Sequence, residues 1–396
     1  MPSEADAGPA LHVEVLANAL RPDREPIPPL DDGVRGFHRR LGLAQPSPLH
    51  ELPDLAAAAG VGRLFVKDES DRLGLPAFKI LGASWAAYCA LVDRLGHEPE
   101  WSNLAELTLA LAPLHPMTLA TATDGNHGRA VASFARRVGL SARIFVPAGT
   151  SPRRIDAIRS EGATCTEIEG DYDDAVARAA GEAGEHCIVV SDTSWEGYTE
   201  IPSRVIEGYA TIFAEIDEQL AAAGVDRPDV VLIPIGVGAL AAAAARHHRP
   251  GRSDGPPLLV GVEPDTADCV MASIRAGHPV EVPGPHPSIM AGLNCGTPSP
   301  LAWPLMRDAF EWYCAVGDEV AVAGMRALAD AGVVSGETGG ATLGTVLALG
   351  TGSTPLRFDP EAVVVAISTE GATDPVRYAE LVGRPATAVG AHRAHG

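Results

Sequence analysis

From about residue 63 onward, short apolar runs alternate with longer amphipathic stretches, and a few turn residues separate each from the next. A short apolar run bounded by turn residues fits a buried strand, and apolar positions spaced every third or fourth residue fit a helix packed on a sheet. The runs at 63–67, 117–122, 142–146, 187–191, 230–235, 258–262 and 362–367 predict strands. The stretches at 79–95, 128–138, 152–161, 172–183, 200–223, 239–247, 318–331 and 341–349 predict helices. Strand and helix in alternation predict a parallel α/β architecture, whose ligands gather at the carboxyl ends of strands. The first 55 or so residues, rich in proline and polar groups, predict an extended arm and a short helix. The less regular segment 96–116 predicts an insertion or a crossover between domains.

At 396 residues the chain exceeds what one hydrophobic core usually supports, so two domains are expected. Composition is ordinary for a globular protein, 46% hydrophobic and 20% charged. The 30 Lys and Arg against 51 Asp and Glu give a net charge of −21, a field that repels phosphate backbones and anionic lipids. Nucleic acid and membrane surfaces are therefore not expected as partners. The first 20 residues carry acids early, with no basic start before an apolar run, unlike a secretory signal. The longest apolar stretch, 231–245, is broken by Pro234, Gly236 and Gly238 and is shorter than the ~20 residues that span a bilayer. A cytoplasmic protein is expected. Cys89, Cys165, Cys187, Cys269, Cys295 and Cys314 are scattered without a CxxC pair, and there is no HExxH, so neither a disulfide framework nor a metal site is signalled.

Four segments break the apolar rhythm with glycine and polar residues directly after a predicted strand: 124–128, 192–198, 236–240 and 368–371. Polar groups converging at strand ends are the usual makings of an α/β active site. In 236–240, Gly236, Val237, Gly238, Ala239 and Leu240 lead into an alanine-rich helix, and their amides can cradle a phosphate where a Cβ would block backbone approach. The same string, ending at Ala241 and followed by Glu263 after the next strand, fits a G-x-G-x-x-A dinucleotide fingerprint. The glycines would equally allow tight helix-to-strand packing. In 124–128, Asn126 has the donor and acceptor to hold a phenolate oxygen, although Asp-Gly and Gly-Asn are also common turn pairs. Lys79 has apolar neighbours Phe78 and Ile80; such a lysine loses solvation of its ammonium form and becomes a Schiff-base nucleophile, or else packs its stem while its head reaches water.

Together these pieces stop being independent. Lys67-Asp68-Glu69-Ser70 with Phe78-Lys79, then 124–128, then 236–240, occur in the order and spacing of the fold-type II pyridoxal-phosphate enzymes. The strings Asp192-Thr193-Ser194-Trp195-Glu196-Gly197-Tyr198, Ile289-Met290-Ala291-Gly292-Leu293, Ser335-Gly336-Glu337-Thr338-Gly339 and Ile367-Ser368-Thr369-Glu370-Gly371 narrow the likeness. From about residue 37 to 375 the chain resembles the diaminopropionate ammonia-lyases. The resemblance implies two open, mostly parallel-sheet α/β domains of the tryptophan synthase β type: a large cofactor-binding domain from 1–85 plus 221–396, and a smaller mobile one from 86–220. It implies pyridoxal 5'-phosphate in the cleft between them, a small amino-acid substrate and a homodimer.

Carried onto this chain, the resemblance makes Lys79 the Schiff-base lysine and the proton acceptor for one enantiomer, Asp124 the base on the opposite face, and Asp192 a second site aspartate. Phe78, Asn126, Gly236, Val237, Gly238, Ala239, Leu240 and Glu337 would hold the cofactor. Ser368 would face the pyridine nitrogen, with Thr369 as the alternative one residue on; a hydroxyl there restrains the electron sink and favours elimination over transamination. Pro76 stands where the best-known members carry asparagine. Cys269 and Cys295 fall in motifs that carry cysteines in the family and could form a bridge near the site, although in a reducing cytosol two thiols are expected. The implied reaction is α,β-elimination of 2,3-diaminopropionate, as D or L form, through aminoacrylate to pyruvate and two ammonia. The β-amine must leave as neutral ammonia from a protonated state, which carboxylates near the site would favour. The rivals are a serine or threonine dehydratase or a β-replacement synthase on the same cofactor, a nicotinamide-dependent oxidoreductase using 236–241, and a non-catalytic relative that binds cofactor for regulation.

Overall fold

A computed structural model describes residues 11–21, 27, 29–30, 33–43, 45–123, 125–170, 172–249, 255–351 and 354–390. Its strands form two sheets. The larger sheet contains β1 (Val13–Ala17), β2 (Leu49–Glu51), β3 (Arg63–Asp68), β8 (Val230–Pro234), β9 (Leu258–Pro264), β10 (Trp312–Val316) and β11 (Val363–Ser368), in the order β1-β10-β9-β8-β11-β3-β2. The smaller contains β4 (Thr118–Ala122), β5 (Ser141–Pro147), β6 (Thr164–Ile168) and β7 (Cys187–Val189), in the order β6-β5-β4-β7. All pairs are parallel except β1 with β10 and β2 with β3, at the two edges of the larger sheet.

Helices cover both faces of each sheet, and for this reason the central strands read as continuous apolar runs. On β11, Val365 and Ile367 join the core under helices Ile80–Leu95 and Ala239–His248. Val364 and Ala366 join the opposite core, with helices Asp318–Asp330 and Glu337–Thr351. In the smaller sheet Leu119, Ile144 and Val146 pack with Phe134 and Ile158, and Ala120, Ala122 and Phe145 pack with Ala175 and Ala179 on the other side. The 200–223 stretch is two helices, Glu200–Gly208 and Ala210–Ala222. Where they join, a Cβ on Gly208 would lie 2.5 Å from the Leu81 carbonyl oxygen, and one on Gly82 would lie 2.6 Å from the Tyr209 ring. Glycine at both positions lets the helix that begins just after Lys79 cross at backbone contact.

The predicted strands at 63–67, 117–122, 142–146, 187–191, 230–235, 258–262 and 362–367 coincide with β3, β4, β5, β7, β8, β9 and β11 to within one or two residues at each end. Among the described residues no helix is long and apolar enough to cross a membrane, and no cluster of His, Cys, Asp and Glu could hold a metal ion.

Candidate active site

Five loops leave the carboxyl ends of β3, β4, β7, β8 and β11 and meet in a cleft of about 690 Å³ between the two sheets. Lys79, Thr123, His127, Asp192, Gly238 and Thr369 line it. Lys79 stands at the residue before helix Ile80–Leu95. Its loop is laced to the segment after β11: the Phe78 N–H donates to the Thr369 carbonyl at 3.3 Å, and the Gly371 N–H donates to the Pro76 carbonyl at 3.0 Å. A carbonyl is all that Pro76 supplies to this contact, so proline satisfies it.

Beneath that loop lies a buried ionic network. Alternation along β3 turns Lys67 toward the same core as Phe65, where it is fully buried. Its ammonium donates to Glu215 at 2.7 Å, the Gln219 side-chain oxygen at 2.8 Å and the Ser47 carbonyl at 2.8 Å. Arg72 bridges Glu69 and Glu215, donating to Glu69 at 2.5 and 2.7 Å and to Glu215 Oε1 at 2.9 Å. The four charges thus balance while fixing the start of the Lys79 loop against helix Ala210–Ala222.

Lys79 Nζ donates to Asp192 Oδ2 at 2.7 Å and lies 5.4 Å from the Phe78 ring centroid. Burial acts to raise the pKa of Asp192, but the charges of His127 and Lys79 and the lysine hydrogen bond outweigh it and hold the carboxyl well below the usual range. His127, also buried, is itself pushed down by desolvation despite facing Asp192. The His127 Nε2 meets the Val190 carbonyl at 2.8 Å, and its Nδ1 is 3.8 Å from Asp192. The Asp192 loop is pinned by Tyr198, whose hydroxyl donates to the Val189 carbonyl at 2.7 Å and accepts from the Ser191 N–H at 3.0 Å. Tyr209, fully buried and kept a neutral phenol by desolvation, adjoins Lys79 and packs on Phe78 with ring centroids 4.7 Å apart.

After β8, Gly238 takes a left-handed φ of +103° and opens helix Ala239–His248. The first-turn amides of that helix have no intrahelical carbonyl partners and point outward as donors. A Cβ on Gly236 would lie 2.8 Å from the Gly292 carbonyl oxygen, so the cradle exists only because residue 236 has none. Asn126 opens helix Asn126–Arg137, and its Nδ2 donates to Glu370 Oε2 at 2.5 Å, leaving a second amide hydrogen for an anionic oxygen.

Lys79, Asp192, Phe78 and the stretch Gly236, Val237, Gly238, Ala239 and Leu240 all line the cleft. Asp124 lies outside the described residues. Ser368 is fully buried and its hydroxyl donates to Ser335 at 2.8 Å, so it is spent within the core. Thr369, one residue on, lines the cleft with a buried hydroxyl that has no hydrogen-bond partner. Glu337 faces a neighbouring cavity, and Thr338 beside it presents another unpartnered hydroxyl to the cleft. Glu263, the acid of the dinucleotide fingerprint, accepts the Val270 and Met271 N–H groups at 2.8 Å each and so caps helix Cys269–Ala276. A carboxylate engaged there does not serve a ribose. Cys269 and Cys295 are unbridged thiols. His127, Tyr209, Thr338 and Glu370 were given no role by sequence reasoning. Glu370 and Thr338 stand inside the quoted motifs, whereas Tyr209 reaches the site through a helix crossing that no local pattern signals.

Residues 41–370 match the family model described as pyridoxal-phosphate dependent enzyme. The diaminopropionate ammonia-lyase of Escherichia coli (strain K12) is 40% identical over 361 residues, covering 88% of this chain and 90% of that one. The crystal structure of the Escherichia coli diaminopropionate ammonia-lyase in complex with D-serine superposes with a TM-score of 0.87 at 37% identity, covering 94% of this chain and 97% of that chain. This chain belongs to the diaminopropionate ammonia-lyase family. The same Escherichia coli lyase with an aminoacrylate-PLP azomethine reaction intermediate superposes with a TM-score of 0.83 at 37% identity, again covering 94% and 97%.

Pyridoxal phosphate is the cofactor of this lyase family, and the residues of the cleft fit it. The unpartnered Thr369 hydroxyl offers a hydrogen bond to a ring nitrogen, the cradle at Gly236 and Gly238 offers amides to a phosphate, and the free hydrogen of the Asn126 amide offers a donor to a phenolate.

Proposed function

We propose that this protein, a pyridoxal-phosphate-dependent ammonia-lyase, converts 2,3-diaminopropionate to pyruvate and two ammonia. The observation that carries the reading is the pairing of Lys79 Nζ with the buried, ionised Asp192 at 2.7 Å in a cleft whose phosphate cradle and spare hydroxyls suit the cofactor. Lys79 would hold the cofactor covalently, with the amides from Gly236 to Leu240 on its phosphate, Asn126 on its ring oxygen and Thr369 at its ring nitrogen. When bound, pyridoxal phosphate supplies the electron sink for the negative charge that develops at the substrate α-carbon.

The chain's own residues supply the proton chemistry. The free Lys79 amine would take the α-proton on its side of the cleft, and Asp192 would stabilise the positive charge that this places on Nζ. With the Lys79 cation beside it Asp192 is held ionised, and in that state it would also keep a substrate β-ammonium charged until departure, when the leaving group is ammonia rather than amide ion. Asp124 is the base for the opposite enantiomer. We assign the working form as a cytoplasmic homodimer; sedimentation at the molecular weight of a monomer would refute the dimer.

An assay of pyruvate and ammonia from D- and L-diaminopropionate, serine and threonine tests the reading. Diaminopropionate should yield ammonia and pyruvate in a ratio of two to one. Asp124→Asn should lose turnover of one enantiomer by at least about 100-fold and retain the other, on the scale of a lost general base. Turnover of serine or threonine with none of diaminopropionate would sink the substrate assignment.

A further inference from the structure

A second cavity, of about 1250 Å³, adjoins the reaction cleft and shares Tyr172 and Asn294 with it. It lies between the lobes. Arg154 comes from the smaller sheet's side, and Arg377, Glu337 and His286 come from the larger sheet's side. The ion pair of Arg153 with Asp374, at 2.9 Å, ties the two lobes together at its edge.

Arg154 is the unusual member of this wall. It sits in the first turn of helix Pro152–Ser160, and its Cδ would stand 3.2 Å from a Cβ on Gly125, which brings its stem against the loop that leads into Asn126. The other arginines of that helix have carboxylates: Arg153 has Asp374, and Arg159 has Asp156 at 3.8 Å. Arg154 is half-buried, yet among the described residues no carboxylate pairs with its guanidinium. A half-buried planar cation whose donors have no hydrogen-bonded carboxylate among the described residues can receive one in a two-pronged contact. The chain as a whole, at −21, repels such an anion, so a local cation is what draws it in.

We propose that this cavity is a docking subsite for the incoming amino acid, in which Arg154 binds the substrate carboxylate before the amine reaches Lys79. The inference rests on the amino-acid chemistry proposed above. It divides capture into two stages: reversible docking between the lobes, then movement past Tyr172 and Asn294 into the cleft.

Rapid mixing of the holoenzyme with alanine, which has no β-leaving group, tests this without reference to product. The rate of the cofactor's absorbance change should rise with alanine concentration and level off, and the half-saturating concentration reports docking. In Arg154→Gln that concentration should rise about tenfold or the dependence become linear, while any plateau stays within about twofold. Arg154→Lys, which keeps the charge and loses the fork, should fall between the two. Raising the salt from about 0.02 to 0.2 M should weaken docking in the wild type and much less in Arg154→Gln. An unchanged half-saturating concentration in both variants would overturn the subsite, as would a fall in the plateau alone. Failure of diaminopropionate to yield pyruvate would remove the proposed activity and leave the docking result to be judged by the alanine measurement.

Discussion

Ser368 and Thr369 follow each other at the end of β11 and meet different surroundings. The first spends its hydroxyl on Ser335 inside the core, and the second turns an unpartnered hydroxyl into the cleft. Thr369→Val should therefore weaken cofactor binding about three- to tenfold, the worth of roughly one net hydrogen bond. Ser368→Ala should cost about 1 kcal/mol of stability by removing the hydrogen bond that Ser335 accepts, with cofactor affinity nearly unchanged. Equilibrium titration of the apoenzyme with cofactor, beside denaturant unfolding, separates the two. Sequence placed a hydroxyl at this strand end but left its register open, because pleat direction at a strand terminus depends on where the ladder stops. Glu337 titrates differently. Burial, together with the charge of Glu370, raises its carboxyl to about 7 despite Arg154 and Arg377. Its folded value exceeds its unfolded one, so its contribution is fully present below about 4.5 and is lost as pH rises through about 7. Glu337→Gln should remove about 2–3 kcal/mol of that pH-dependent loss, read as a narrower gap in Tm between pH 5 and pH 7.5.

At the scale of elements, the loop between β3 and helix Ile80–Leu95 owes its shape to the Lys67, Glu69, Arg72 and Glu215 network as much as to its own residues. Removing one carboxylate leaves buried cations uncompensated. Glu215→Gln should cost about 3–5 kcal/mol, measured by denaturant unfolding, and should lower cofactor occupancy because the Lys79 loop loses its floor. The parallel strands β3, β4, β5, β7, β8, β9 and β11 were legible because burial on both faces writes continuous apolar runs. The segments β1, β2, β6 and β10 were not predicted. β1 and β6 lie at sheet edges and bury only part of their side chains, and β2 has three residues. β10 is apolar but follows helix Trp303–Ala309 after only two residues, so no turn signal marks its start. The break at Tyr209 is likewise a tertiary effect, set by the crossing at Gly82 and Gly208.

For the molecule as a whole, function lies where two sheets present their strand ends to one another. Contacts that cross the gap also build the site: Lys79 to Asp192, Asn126 to Glu370, and Arg153 to Asp374. The motifs were readable one by one, yet their meeting was not, since more than 100 residues separate Lys79 from Asp192 and Asn126 from Glu370. Within this constellation we assign Lys79 as the covalent anchor of pyridoxal phosphate. Borohydride reduction of the holoenzyme, followed by proteolysis and mass spectrometry, tests it most directly. The reduced cofactor should be found on the peptide bearing Lys79, with loss of the yellow colour, and no labelled peptide should come from Lys79→Ala. Label on Lys67 or elsewhere, or a colour that borohydride leaves untouched, would contradict it.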